Sequence, residues 1–285
     1  MLGHKLWQIF SPRFETFVTF RSDVEDYSRF DLFDKNRVVD RLAADDVAGF
    51  ARVLKEIKPN AVVNCIGIVK QHAAAKDPVT SITVNSLFPH RLARECSEAG
   101  TRLIHMSTDC VFSGRKGAYT ESDQPDAGDL YGSTKLMGEV SDENCLTIRT
   151  SMIGRELSGA HGLVEWFLSN EGKRVRGFKR AVFSGFTTLA LAEILADIID
   201  RHPRLSGLYH VSSEPTSKFD LLSLIRDVYG VKIEIEPDET FVCDRSLDCT
   251  RFGEATGFVA PEWKEMIQRM HDDPTPYQSI RRVNA

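Results

Sequence analysis

Short, largely apolar runs recur through the first half of the chain at Ala61–Ile68, Arg102–Met106 and Cys145–Arg149, with segments of helix length between them. A strand covered on both faces has to be apolar along its length, and parallel neighbours need a crossover of a dozen or more residues. The spacers meet that need. Val47–Ile57 carries apolar residues at helical spacing and stops before Pro59, Val79–Ala99 does the same and closes at Gly100, and Leu130–Val140 makes a third helix. An earlier β-prone run lies at Phe14–Phe20. This rhythm predicts an α/β fold built on a doubly wound parallel sheet. Beyond residue 150 it loosens, leaving helices at Thr188–Asp200 and Phe219–Tyr229 and a strand-like Gly207–Ser213. The expected organisation is a sheet domain over residues 1–150 and a smaller lobe, mainly for substrate, over 151–285.

Bulk properties exclude several classes. With 285 residues, 42% of them hydrophobic, the chain can bury a full core. A net charge of −5 gives no basic field for nucleic acid. No apolar run reaches the roughly 20 residues a membrane span needs, and no signal-like segment opens the sequence. The cysteines at 65, 96, 110, 145, 243 and 249 form no C-x-x-C pair, so neither a disulfide framework nor a zinc site is expected, and no other metal-ligand cluster stands out. The chain reads as soluble and cytoplasmic.

Chemistry concentrates in Tyr131-Gly132-Ser133-Thr134-Lys135, with the hydroxyl pair Ser107-Thr108 closing the run before it. Residues four apart on a helix share a face, so the phenol and the ammonium point into one space. A nearby cation stabilises phenolate and draws a tyrosine down from a pKa of about 10. A strand-end hydroxyl beside them can hold a carbonyl oxygen. Such a set can move a proton to or from oxygen while a hydride moves at the adjoining carbon. Alone, the spacing usually marks a solvated pair.

The longer context is more specific. Ser107-Thr108-Asp109-Cys110-Val111-Phe112-Ser113-Gly114, followed by Tyr131-Gly132-Ser133-Thr134-Lys135-Leu136-Met137-Gly138-Glu139, resembles the extended short-chain dehydrogenase/reductases. Within them it is most similar to the dTDP-4-dehydrorhamnose reductase branch, over about residues 1–270. The resemblance implies a Rossmann fold whose first strand and first fingerprint glycines would precede Met1. Met1-Leu2-Gly3-His4 then reads as the fingerprint's tail, with Gly3 its last glycine and a helix starting at once. A truncated or wrongly assigned start is the expectation.

For the cofactor, NADP or NAD, the resemblance points to Gly3, Arg21, Asp40, the turn Cys65-Ile66-Gly67, Asn85, Ser107, Tyr131 and Lys135. Arg21-Ser22 favours the 2′-phosphate of NADP, with Asp23 arguing the other way. Asn85, polar on an apolar helix, requires a buried partner. Lys135 is expected both to hold ribose hydroxyls and to acidify Tyr131.

For the substrate, Thr108 takes the place of the carbonyl-binding hydroxyl, with Asp109 beside it; Cys110 and Met152 stand where relatives carry aromatic residues. In the basic run Lys173, Arg174, Arg176, Lys179 and Arg180, two readings compete: a solvated loop, or a diphosphate clamp led by Arg176 and Arg180. Phe186 is expected either to stack on a nucleobase or to sit in the core, and His105 and His210 to be core histidines. The implied activity is NAD(P)H-dependent reduction of a nucleotide-linked 4-keto-6-deoxy sugar, in rhamnose or surface polysaccharide biosynthesis, with Thr108, Tyr131 and Lys135 catalytic. Alternatives in the same superfamily are an epimerase or dehydratase with tightly held NAD. A non-catalytic regulatory subunit like that of methionine adenosyltransferase belongs to another class. A homodimer is a further expectation, and Mg²⁺ dependence is left open.

Overall fold

A computed structural model describes residues 1–70 and 73–282. The chain opens with helix α1 (Leu2–Phe10), followed by strand β1 (Val18–Thr19), helix α2 (Glu25–Ser28), strand β2 (Val38–Val39), helix α3 (Val47–Ile57) and strand β3 (Ala61–Asn64). Helix α4 (Pro78–Ser81) runs through a π-helical segment, Ile82–Leu87, into α5 (Phe88–Glu98). Strand β4 (Arg102–Met106), helix α6 (Leu130–Met137) and strand β5 (Cys145–Arg149) complete the first half. Local signals explain most of these boundaries. Asp46 caps α3 by accepting from the Gly49 amide, and α3 ends at left-handed Lys58 ahead of Pro59. The expected strand at Phe14–Phe20 shrinks to two residues because Phe14 stays with α1, its amide bonded to the Phe10 carbonyl and its ring packed edge-on against Phe10.

The expected helix Val79–Ala99 also departs from regularity. Pro89 has no N–H to give the Asn85 carbonyl four residues back, and the Phe88 amide bonds Thr83, five back. Onto that widened turn packs Gly138, just past α6. A Cβ at Gly138 would overlap the Asn85 carbonyl oxygen.

The second half contains β6 (Met152–Ile153), α7 (Leu163–Leu168), β7 (Arg174–Phe178), β8 (Ala181–Phe183), β9 (Phe186–Thr187) and α8 (Thr188–Arg201). After these come β10 (Gly207–His210), β11 (Thr216–Ser217), α9 (Lys218–Tyr229), β12 (Glu234–Asp238), β13 (Cys243–Asp244), α10 (Thr250–Thr256), α11 (Trp263–His271) and α12 (Tyr277–Arg282). The main sheet has the order β10-β5-β4-β3, all parallel, and β1-β2 form a separate parallel pair. The fold is the expected α/β, Rossmann-type one. Because β10 returns to pair with β5, residues after 150 also build the main sheet as well as the lobe of β7, β8, β11, β12 and β13.

Both sheet faces are covered, as a parallel sheet demands. Ile104, Met106, Leu146 and Ile148 meet α1 and α8 through Leu2, Leu6, Leu191 and Leu195. Leu103 and Cys145 face the other way, onto Phe50, Phe88 and Leu92. Each such fully buried aliphatic side chain contributes about 1.5–3 kcal/mol of transfer free energy. Among the described residues no helix is long and apolar enough to cross a membrane.

The tight seat of Gly138 gives a direct test. Gly138→Ala is expected to cost about 1–3 kcal/mol through overpacking, seen as a fall of several degrees in Tm. Met137→Ala, at an exposed neighbour, leaves Tm within error.

Candidate active site

Helix α6 presents the central side chains. Asp129 caps it by accepting from the Gly132 amide at 2.8 Å and holds Lys70 at 2.6 Å. Gly132 lets the first turn lie on the Cys110 backbone, because a Cβ there would overlap the Cys110 carbonyl oxygen. That approach brings the Tyr131 phenol beside the Thr108 hydroxyl, close enough to feel it. Thr108 in turn donates to Asp109 and accepts from the Cys110 amide, both at 3.1 Å.

One turn on, Lys135 is only 6% exposed, and its ammonium donates to the Met106 carbonyl at the end of β4 at 2.7 Å. Burial lowers this lysine to about 8, with Glu139 pulling the other way. The expected acidification of Tyr131 does not occur. Removal from water pushes the phenol above its usual range, the Cys110 thiol adds to that, and the nearby Thr108 hydroxyl only partly opposes it. The Lys135 ammonium is instead engaged by the Met106 backbone carbonyl. A neutral phenol is nevertheless the form that can give a proton away.

Behind the lysine runs a buried polar chain. Ser107 donates to Glu139 at 2.7 Å, and Glu139 receives Arg149 through Nε at 2.8 Å and a terminal nitrogen at 2.7 Å. Arg149 reaches His210 Nε2 at 3.3 Å, and His210 Nδ1 lies 2.9 Å from the Tyr119 carbonyl. His210 is therefore the satisfied core histidine expected. His105, also fully buried, pairs through Nδ1 with Asn64 at 3.1 Å while its Nε2 has no partner among the described residues. Ser107 faces Glu139, a partner that its place in the sequence did not suggest. Glu139 sits inside the quoted motif, yet nothing local announces that Arg149, on the next strand, completes it.

On the cofactor side, Asn85 finds its buried partners. Its carbonyl accepts from the Ile68 amide at 2.8 Å, and its amide donates to the Ile68 carbonyl at 3.1 Å and to Thr134 at 3.3 Å. The turn after β3 is thereby clamped to α6. Cys65 and Gly67 are exposed there, and Ile66 packs inward. Gly3 has no atom within 4 Å of where a Cβ would stand. Asp40 accepts from the Val24 amide at 3.0 Å and so starts α2. Asp23 is paired with Arg41, while Arg21 is exposed.

The substrate expectations divide. Asp109 and Cys110 adjoin Thr108 and Tyr131. Phe186 does not: it is wholly buried in the main core against Phe258, so the stacking reading is wrong. Met152 packs on the same core from β6. Parallel pairing of β7 with β12 sets the basic run against acids, placing Arg174 on Glu234 at 2.9 Å and Arg176 on Asp238 at 3.3 Å. Arg176 is 70% exposed at its side chain and paired with Asp238, an arrangement that favours the solvated reading. Arg180 is exposed, its carbonyl bonded to the Cys243 amide. In their stead Lys218 and Arg245 approach Asp109 and Cys110. Neither residue was singled out from the sequence, where the helix was expected to begin at Phe219. A groove of about 640 Å³ along α8 and α10 shares no residue with this site.

Fold and site together define an NAD(P)-dependent oxidoreductase of the short-chain dehydrogenase/reductase type. The chain belongs to the RmlD substrate binding domain family, which matches residues 1–275. It is 25% identical over 249 residues to the dTDP-4-dehydrorhamnose reductase of Escherichia coli (strain K12), spanning 78% of this chain and 82% of that relative. Its fold matches a hypothetical dTDP-4-dehydrorhamnose reductase from Sulfolobus tokodaii with a TM-score of 0.75 at 23% identity, over 92% and 94% of the two chains. It also matches the Bacillus anthracis dTDP-4-dehydrorhamnose reductase in complex with NADP, with a TM-score of 0.73 at 21% identity, over 91% and 100%.

Breaking the buried ion pair from one side leaves an uncompensated charge. Glu139→Gln is accordingly expected to cost about 3–5 kcal/mol, measured by urea unfolding at pH 7. An unchanged midpoint would contradict the buried geometry.

Proposed function

We propose that this protein reduces the 4-keto group of a nucleotide-linked 6-deoxy sugar at the expense of NADPH or NADH, as a step in rhamnose-type or surface polysaccharide sugar biosynthesis. The observation that carries this reading is the meeting of the Thr108 hydroxyl and the Tyr131 phenol one turn above a buried lysine. The residues at the cleft suit a dinucleotide. Lys135 uses one of its three donors on Met106, leaving two for ribose hydroxyls. The exposed Cys65 and Gly67 turn and the open space at Gly3 admit a ligand's close approach. Exposed Arg21, with Asp23 engaged by Arg41, favours a 2′-phosphate and hence NADP.

When bound, the nicotinamide supplies the hydride to the keto carbon. Thr108 orients the keto oxygen by hydrogen bonding, and Tyr131 gives its phenolic proton to that oxygen as negative charge develops there. Lys135 holds the ribose and stabilises the phenolate left behind. Asn85 keeps the turn after β3 in place through Ile68. The complete trio also favours catalysis over a purely regulatory role, which would not need a proton donor.

Tyr131→Phe removes the donated proton and leaves the ring's packing. Its turnover of a dTDP-4-keto-6-deoxy sugar, followed by NADPH absorbance, is expected to fall by about 10²–10⁴-fold with NADPH affinity retained. Turnover equal to that of the native protein would remove the tyrosine from the mechanism.

A further inference from the structure

The first turn of α1 is held by a part of the chain that the site does not otherwise use. Within that turn Gly3 has open space beside it, whereas the next two residues, His4 and Lys5, are only 4% and 3% exposed. Burying an ammonium is unfavourable unless its donors are met, and a cation in the first turn of a helix opposes the helix dipole. No acid on α1 itself offsets either cost. The offset comes instead from Asp273, Thr275 and Tyr277, near the far end of the described chain.

Lys5 is ion-paired with Asp273 and donates to the Thr275 hydroxyl at 2.9 Å and to the side-chain carbonyl of Gln8 at 2.7 Å. These contacts use all three of its donors. Asp273 also accepts from the Thr275 amide at 2.9 Å, and the Gln8 side-chain amide donates to the Thr275 hydroxyl at 2.9 Å. His4 Nε2 lies 2.8 Å from the Tyr277 hydroxyl, a hydrogen bond between residues 273 apart in sequence.

Tyr277, the first residue of α12, reaches a second element as well. The Arg155 guanidinium, between β6 and α7, lies 4.8 Å from the centroid of its ring and is ion-paired at 2.6 Å with Glu165 of α7. Helix α7 packs on the lobe through Val164 and Phe167. One phenol therefore meets α1 through its hydroxyl and the lobe's approach through its ring.

A tie needed only to close the fold could fall at any turn of α1. This one grips the two residues directly after Gly3, the glycine at which the dinucleotide is expected to come close. A helix is stiff over a single turn, so a shift of His4 and Lys5 is also a shift of Gly3.

We propose that Asp273, Thr275 and Tyr277 form a clasp that positions the first turn of α1 for the dinucleotide, with His4 and Lys5 as the positioning residues it grips. The inference rests on the dinucleotide reading of the cleft and adds the residues that keep that side of the cleft in place.

Binding and backbone opening can both be read without turnover. Tyr277→Phe keeps the ring under Arg155 and removes the hydroxyl. Its NADPH affinity, by fluorescence titration, is expected to fall about threefold to tenfold, the size of one neutral hydrogen bond. Lys5→Met keeps the apolar stem and is expected to lose at least as much, while Ser279→Ala, at an exposed residue of α12, keeps the native affinity. Hydrogen exchange supplies a readout that a purely structural tie would not move. Coupling between two sites is reciprocal, so saturating NADPH is expected to slow amide exchange across residues 273–282 of the native protein, and to do so less in Tyr277→Phe. The proposal is overturned if Tyr277→Phe binds NADPH as the native protein does, or if NADPH leaves exchange across 273–282 unchanged, whatever stability the variants have lost. A Lys5→Met protein that fails to fold leaves Tyr277→Phe to decide. Native NADPH binding that is indifferent to Tyr277 contradicts the clasp alone, whereas a native protein that binds neither NADPH nor NADH contradicts the dinucleotide reading beneath it.

Discussion

An ammonium buried at the end of a central strand is the constraint around which this site is assembled. Lys135 gives up most of its hydration to reach the Met106 carbonyl, a position tolerable only if α6 is held close and polar groups stand nearby. Each device that holds α6 is visible. Gly132 lies on the Cys110 backbone, Gly138 lies on the Asn85 carbonyl, and Ser86 donates to the Thr134 carbonyl at 2.8 Å. Because Tyr131 rides on the same helix, seating the lysine also sets the phenol against Thr108. The phenol, the Thr108 hydroxyl and the buried lysine are thus one mechanical unit.

The lysine's surroundings divide into two polar systems on either side of the strand ends. On one side the chain from Ser107 through Glu139 and Arg149 to His210 satisfies every charge it buries. On the other, Lys218 and Arg245 face Asp109, and Asp129 also faces Arg245. A fully matched network holds backbone in place, and the first of these does so for the strand ends.

Much of this was legible in the residues. Periodicity located β4, β5, α3 and α8 almost to their ends, since an apolar run and a capped helix are local properties. The YxxxK spacing placed Tyr131 and Lys135 together, and the polar misfit of Asn85 announced a buried partner. What stayed hidden depended on pairing between distant segments. The basic run, readable as a solvated loop or a clamp, lies against the acids of β12, whose register against β7 no local pattern specifies. Phe186 looked available for stacking until α8, α10 and the segment carrying Phe258 closed over it. Lys218 and Arg245 sit far along the chain from Cys110, and only the packing of the lobe on the sheet brings them there. The expected acidification of Tyr131 failed for an energetic reason, because burial of the phenol outweighs a cation engaged elsewhere.

The claim that a lysine is held charged but poorly solvated beneath Tyr131 is open to direct titration. NMR of protein carrying ¹³C-labelled lysine, with Lys135→Met to assign the signal, follows its protonation alone. A midpoint at about 8 is the predicted result, well apart from the bulk of the lysines near 10.4. A Lys135 signal that titrates with that bulk would contradict the buried seat, and with it the geometry on which the proposed chemistry stands.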